Sequence, residues 1–311
     1  MHKEKAQMFL ANALLSLMRQ KPYEKINIKE ICSNAFLSRT SFYKYFSSKD
    51  ELLRYQFRLM FGSAAKHGFS AAPAVRFADC LYRLKSYTEI ISEQRLLAFL
   101  LPDIAAVTNE ELHCEKLDLF SVCAEYISTL FAVRTANGAS PETVVQYLQA
   151  AKENKPEMSR NNGQHRSDSS RHTVTFAKAL VMQLEKGISL HDIRVKELTA
   201  AAEINRSSFY RSFRGIQELF MHSIRSLILE ELSSSLNDDE TILLHYRPYK
   251  PLFNAAWQEL GLEDSALLYA SVINELTLLP NDDIPPEQVY IARLRNICLA
   301  ARRTALLYCF L

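Results

Sequence analysis

Apolar residues in this chain recur at three- and four-residue spacings rather than in strict alternation, which predicts helices and little sheet. Phe9, Ala13, Leu14 and Leu17 share one face of a helix near residues 3–20, and Pro22 helps to end it. Asn27 stands as an N-cap with Glu30 three residues on, the spacing of a capping box, so a short helix is expected over 28–35. Ala35-Phe36-Leu37 reads as a tight turn and Ser38 as the next N-cap. The helix from Arg39 to about Tyr45 buries Phe42 and Phe46, which are i and i+4. Ser48, with Glu51 three residues later, opens a longer helix. Further helices are expected near 74–92, 109–136, 141–152, 252–260, 264–279 and 286–310. Pro73, Pro102, Pro141, Pro248, Pro251 and Pro280 punctuate these segments at expected helix ends. The fold class is all-α.

The pattern occurs twice. Residues 26–52 and 193–219 align without a gap at an offset of 167, with eleven of 27 positions identical. The identical pairs include Lys29/Lys196, Glu30/Glu197, Arg39/Arg206, Ser41/Ser208, Phe42/Phe209, Tyr43/Tyr210 and Phe46/Phe213. That distance is too long for a solenoid repeat and indicates a tandem duplicate of one domain. Segment 155–171 is polar and rich in Ser and Asn, and reads as the linker. The expected domains are 1–60, 61–154, the linker 155–171, 172–226 and 227–311.

Charge follows the same division. The whole chain of 311 residues carries a net +2, but residues 1–60 carry +6, 61–158 carry −3, 159–226 carry +5 and 227–311 carry −6. Each basic block coincides with one copy of the repeat, and clustered basic charge is the footprint of a polyanion partner. Glycine, at 7 residues, is too scarce for phosphate-cradling loops, and no dinucleotide or P-loop signature occurs. The six cysteines lack zinc or redox spacing, so reduced and mostly buried thiols are expected, with His113 beside Cys114 as a weak metal seed. No nucleophile–base pair stands out, so no enzyme and no cofactor is expected. Arg19 and Lys21 follow the first apolar run without a cleavage site, and no stretch is long enough to span a bilayer, so a cytoplasmic location without membrane contact is expected.

Two short helices joined by a tight turn, the second basic on its free face, make a helix-turn-helix. Residues 26–53 carry the string I-x-I-K-E-I-x-x-x-A-x-x-S-R-T-S-F-Y-K-Y-F-x-S-K-D-E-L-L. This resembles the N-terminal, homeodomain-like three-helix DNA-binding domain of the TetR/AcrR repressor family. Residues 195–213, V-K-E-L-x-x-x-A-x-I-N-R-S-S-F-Y-R-S-F, resemble the same domain. The resemblance implies that the third helix enters the major groove of double-stranded DNA. Thr40 and Ser41 would then meet base edges, Arg39 an edge or a phosphate, and Tyr43, Tyr45 and Lys49 phosphates. It also implies helical C-terminal segments that bind a small-molecule effector and dimerise, here as an intramolecular pseudo-dimer or a homodimer.

The residues agree on their own chemistry. Arg39, Thr40, Tyr43 and Lys44 lie off the Phe42/Phe46 stripe, and Lys49 opens a helix whose N–H groups favour phosphate. Asn27 and Ser38 complete the first set of candidates. Asn205, Arg206, Ser207, Ser208, Tyr210, Arg211 and Arg214 form the second. Both copies depart from the family in the turn, where Phe36 and Glu203 replace a glycine. A positive φ there would cost a side-chain-bearing residue about 1 kcal/mol. Copy two also has Ser212 for Tyr45 and Ile216 for Lys49, with Arg211 and Arg214 as partial replacements, so its site is either weaker or a retained fold without DNA binding. An effector pocket would draw on Phe77, Tyr82, Tyr87, Phe99, Phe120 and Tyr126, or on Trp257 with Tyr246, Tyr249 and Phe253, although aromatics at helical spacing are more often core. The leading reading is a DNA-binding transcriptional repressor that recognises an imperfect palindrome. The alternative is a helical interaction or antirepressor protein whose helix-turn-helix units no longer grip DNA, and Phe36 and Ile216 favour it.

Overall fold

The computed structural model describes residues 3–66, 72–111, 118–136, 138–153, 171–234, 236, 238–277 and 285–311. Every regular element among them is helical. They divide into two units, Met1–Gln149 and Ala150–Leu311. Residues 155–170 of the expected linker, the His113–Cys114 pair and Pro280 lie outside the described residues, and the linker's last residue, Arg171, opens a helix.

The first unit opens with α1 (Lys3–Met18), α2 (Ile28–Asn34), α3 (Arg39–Tyr43) and α4 (Lys49–Lys66), with a short 3-10 turn at Tyr23–Lys25. Leu10 and Leu14 of α1, Ile31 of α2, Phe42 of α3 and Leu52, Leu53 and Phe57 of α4 are wholly buried. α2 and α3, of seven and five residues, are too short to stand alone and are thus pinned by the core they share with α1 and α4. The body of the unit follows as α5 (Pro73–Arg83), α6 (Lys85–Glu93), α7 (Leu97–Glu111), α8 (Leu119–Thr135) and α9 (Pro141–Glu153). α4 packs along α7 and α5, and α8 packs on both.

Three expectations for this body fail. The helix expected over 109–136 is not one helix: its first residues belong to α7, which ends at Glu111, and α8 starts at Leu119 after its N-cap Asp118, whose ψ of 167° is extended. The helix expected over 74–92 is interrupted at Leu84, whose φ and ψ of −94° and 14° leave the helical region, giving α5 and α6. Pro102 does not end a helix: it lies inside α7. Its ring is exposed, so the lost N–H falls on the solvent side, where a proline is best tolerated. Pro73 and Pro141 do open their helices, at the position where a missing N–H costs nothing.

The second unit begins with α10 (Arg171–Glu185), α11 (Val195–Ala201), α12 (Arg206–Ser212) and α13 (Ile216–Ser233). Phe176 and Leu180 of α10 are fully buried, as Leu10 and Leu14 are in α1. These pairs are offset by 166 rather than the 167 of the later segments, so one more residue separates Leu180 from α11 than separates Leu14 from α2. The unit is completed by α14 (Asp239–Tyr246), α15 (Lys250–Leu276) and α16 (Pro286–Phe310). α15 is kinked at Gly261, whose φ of 80° lies outside the helical range, which separates the two helices expected at 252–260 and 264–279. α15 and α16 form the main helix pair of this body.

Candidate nucleic-acid interface

Each recognition segment begins with its turn. α2 ends in a left-handed residue, Phe36 at φ 55°, and α11 ends likewise at Glu203, φ 54°. The amide of Leu37 donates to Cys32 (2.9 Å) and that of Phe36 to Ser33 (3.2 Å). Ile204 donates to Thr199 (3.1 Å) and Glu203 to Ala200 (3.2 Å). Both turns are therefore Schellman closures, which ordinarily place glycine at the left-handed position. The turn keeps its geometry in both copies despite the substitution, and the strain of about 1 kcal/mol falls on each. Phe36 lies 95% exposed, so its ring contributes nothing to the core.

The N-caps occupy several candidates. The Asn27 amide donates to Glu30 Oε2 and the Glu30 amide to Asn27 Oδ1, both at 3.0 Å, which completes the capping box. Glu30 also pairs with Lys21; that hydrogen bond, then the one from Asn27, holds its carboxyl below the usual range. Ser38 Oγ accepts from the Ser41 amide at 3.0 Å and lies 2.9 Å from Ser41 Oγ. Asn205 does the same for Ser208 at 2.8 Å. Asn27, Ser38 and Asn205 are thus engaged as caps, and Ser41 shares its hydroxyl with Ser38.

The outward face is left to the others. Arg39, Thr40 and Lys44 are exposed, and Tyr43 is 52% exposed beside the fully buried Phe42. The Lys44 ammonium lies 5.8 Å from the Tyr45 ring centre. In the second copy Arg206, Ser207, Arg211 and Arg214 are exposed, and Tyr210 is 59% exposed beside buried Phe209. The inner geometry matches closely. Phe42 and Phe46 have ring centres 5.9 Å apart, and Phe209 and Phe213 5.7 Å. Ser47 donates its amide to Glu51 at 2.6 Å, and Arg214 its own to Glu218 at 2.6 Å.

Lys49 differs from the sequence reading. Its ammonium donates to the carbonyls of Tyr23 (2.7 Å) and Ile26 (3.0 Å) and sits 4.1 Å from the Tyr23 ring centre. Burial lowers its pKa, with Asp50 and Glu24 opposing. Two of its three donors are therefore spent inside the domain. The tether joins the start of α4 to the segment that leads into α2. Ile216 ends this arrangement in the second copy.

An open concavity lies in front of Lys49, lined by Ile26, Asn27, Ile28, Lys29 and Arg39. Lys29 and Arg39 have no carboxylate partner among the described residues. Sequence reasoning passed over Lys29, although the repeat retains it as Lys196. A groove with unpaired cations on its rim is suited to a phosphate chain.

Residues 10–55 match the family model of bacterial regulatory proteins, tetR family. The match runs from mid-α1 into α4, so the N-terminal domain is a helix-turn-helix of the DNA-binding kind found in those transcriptional regulators. No curated protein matches the chain.

Other sequence candidates fall elsewhere. Phe77, Tyr87, Tyr126, Tyr246 and Phe253 are buried in the two cores, whereas Tyr82 is 45% exposed. Phe253 and Trp257 line a cavity of about 20 Å³ with Tyr269 and Thr304, room for one water-sized group. Cys32, Cys80 and Cys123 are buried thiols; Cys298 and Cys309 are partly so. No group of His, Cys, Asp and Glu among the described residues is placed to hold a metal ion. No described helix is long and apolar enough to cross a membrane.

Proposed function

We propose that this chain is a one-component transcriptional repressor carrying two TetR-type helix-turn-helix domains on one polypeptide. The observation that carries the reading is the recurrence, in α10–α13, of the left-handed turn, the Asx or Ser cap and the aromatic pair seen in α1–α4. Arg39, Thr40, Tyr43 and Lys44 face the major groove or its phosphates in the first domain. Arg206, Ser207, Tyr210, Arg211 and Arg214 do so, more weakly, in the second. Their differences, Thr40/Ser207 and Lys44/Arg211, make the operator an imperfect palindrome, because a Thr methyl favours thymine and Arg grips guanine better than Lys does.

An effector acts through the helical bodies. The buried Tyr87 and Thr108 hydroxyls find no hydrogen-bond partner among the described residues, and such groups are satisfied by water or a ligand. Selecting duplexes from a random pool with the purified chain tests the reading. The expected product is a site with two related, unequal half-sites bound by one chain, as a pseudo-dimer. Light scattering that found two chains on a symmetric site would replace the pseudo-dimer with a homodimer. The alternative, an antirepressor that does not grip DNA, loses one of its two supports. Phe36 sits in an intact turn, so only Ile216 still favours it. Failure to enrich any duplex at low salt would revive that reading.

A further inference from the structure

Gln94 is the C-cap of α6, in the body of the first unit, and the left-handed Arg95 (φ 56°) follows it. Leu96 donates its amide to Ile91 at 3.0 Å and Arg95 to Ser92 at 2.9 Å, closing the turn and fixing where Gln94 points. Its side-chain amide reaches more than seventy residues back along the chain. Gln94 Oε1 accepts from the Tyr23 amide at 2.7 Å, and Nε2 donates to the Met18 carbonyl at 2.9 Å and, more weakly, to the Lys21 carbonyl at 3.4 Å. Met18 ends α1, and Tyr23 opens the turn that leads into α2.

Tyr23 is held on every polar group it has. Its amide goes to Gln94, its carbonyl accepts from Lys49 at 2.7 Å, and its hydroxyl donates to Asp50 at 2.6 Å. Lys49 and Asp50 are the first residues of α4. Four residues beyond Tyr23, Asn27 caps α2 and borders the concavity with Lys29 and Arg39. A second anchor lies further along α4. Arg54 and Arg58 bond the buried Asp103 of α7 at 2.9 and 2.7 Å. The body thus fixes α4 at one place and the α1–α2 connection at another, and α2 and α3 hang between them.

We propose that Gln94 is a positioning residue for DNA binding. From outside the segment that resembles a DNA-binding domain, its amide sets the frame on which α2 and the Lys29–Arg39–Lys49 groove are built, so the α6–α7 turn governs affinity for DNA. The proposal rests on the reading that the first domain binds DNA. A side chain that positions without touching phosphate changes affinity but not the number of counterions released.

The test is Gln94→Met in the full chain, which keeps length and packing and removes all three hydrogen bonds. The probe is a duplex enriched from a random pool by the wild-type chain. Affinity should fall about tenfold, the size of a lost pair of neutral hydrogen bonds, with the salt slope unchanged. Hydrogen exchange at the Tyr23 amide should accelerate. Arg39→Ala, by contrast, should lower the salt slope by about one unit. If the Met variant does not fold, Gln94→Glu carries the test. It keeps an acceptor for Tyr23, loses both donated bonds, and should shift affinity in the same direction. A folded variant that binds within about twofold of wild type, or a Tyr23 amide that exchanges as slowly as before, overturns the proposal. A wild-type chain that enriches no duplex overturns the DNA-binding reading, and this proposal with it.

Discussion

The helix-turn-helix at α1–α4 and its counterpart at α10–α13 share a core and differ in how that core is fastened. Phe42 and Phe209 are both fully buried, and each lies edge-on to the following tyrosine at 5.5 and 5.4 Å. The fastenings are not shared. The first domain has the Asn27–Glu30 capping box, the Lys49 tether and the Gln94 latch. At the corresponding positions the second has Arg194, which makes no side-chain cap, and Ile216. Its body touches the α10–α11 connection through Glu259, which pairs with the exposed His191 at 3.1 Å. The side chains that build the core are common to both segments, and the polar groups that fix the exposed elements differ.

The shared core gives the largest effect. Phe42→Ala and Phe209→Ala should each cost about 3–5 kcal/mol, since each ring is completely buried. Denaturant titration of the two variants measures this. A loss under about 1 kcal/mol at Phe209 would break the equivalence of the domains.

Next comes the charge at the groove. Arg39→Ala should weaken DNA binding by about tenfold or more and lower the salt slope by about one unit, with a smaller loss for Arg206→Ala. Equal losses would show that the copies share the load, and a larger loss at Arg206 would invert the comparison.

The core and the caps were legible in the sequence because they rest on spacing. The i, i+4 placement of Phe42 and Phe46 and the i, i+3 placement of Asn27 and Glu30 are local, and each produced the contact it implied. Lys49 was half legible. Its position at a helix start was plain, but its hydrogen bonds go to carbonyls more than twenty residues earlier, and no periodicity marks a backbone acceptor. Gln94 was invisible for the same reason: it is one polar residue in an amphipathic run, and its partners lie more than seventy residues away. Pro102 misled because a proline disfavours a helix interior without forbidding it: it removes one i→i−4 bond and crowds the carbonyl four residues back, and α7 runs on through this exposed site.

The turn and the cap allow a finer comparison. Phe36→Gly and Glu203→Gly should each stabilise by about 0.5–1 kcal/mol, because a left-handed residue gains by losing its Cβ. Denaturation midpoints should rise by similar amounts in both variants, with unchanged slopes. Arg194→Asn should add about 0.5–1 kcal/mol to the second domain by restoring the capping box with Glu197. If it adds nothing, the missing cap is not what distinguishes the domains.

The smallest effect separates the domains by pH. Tyr55 packs its ring on Phe46 at 5.3 Å, and at the equivalent place His222 packs on Phe213 at 5.4 Å. Burial, followed by the nearby Arg225, lowers the His222 pKa, and Glu218 only partly opposes them. The folded state therefore binds a proton at this site less readily than the unfolded chain does. Stability from the neutral ring is complete above the ordinary histidine range, near pH 6.5, and is lost as pH falls through it. Tyr55 cannot take up a proton in that window, so the first domain lacks this dependence. His222→Tyr should flatten the fall in melting temperature between about pH 7.5 and about pH 5.5, a window that stays above most carboxylate titration. Subtracting the variant from the wild type cancels the other histidines, His191 and its Glu259 partner included. A variant that loses stability on acidification as steeply as the wild type would show that the imidazole on Phe213 is not the group responsible.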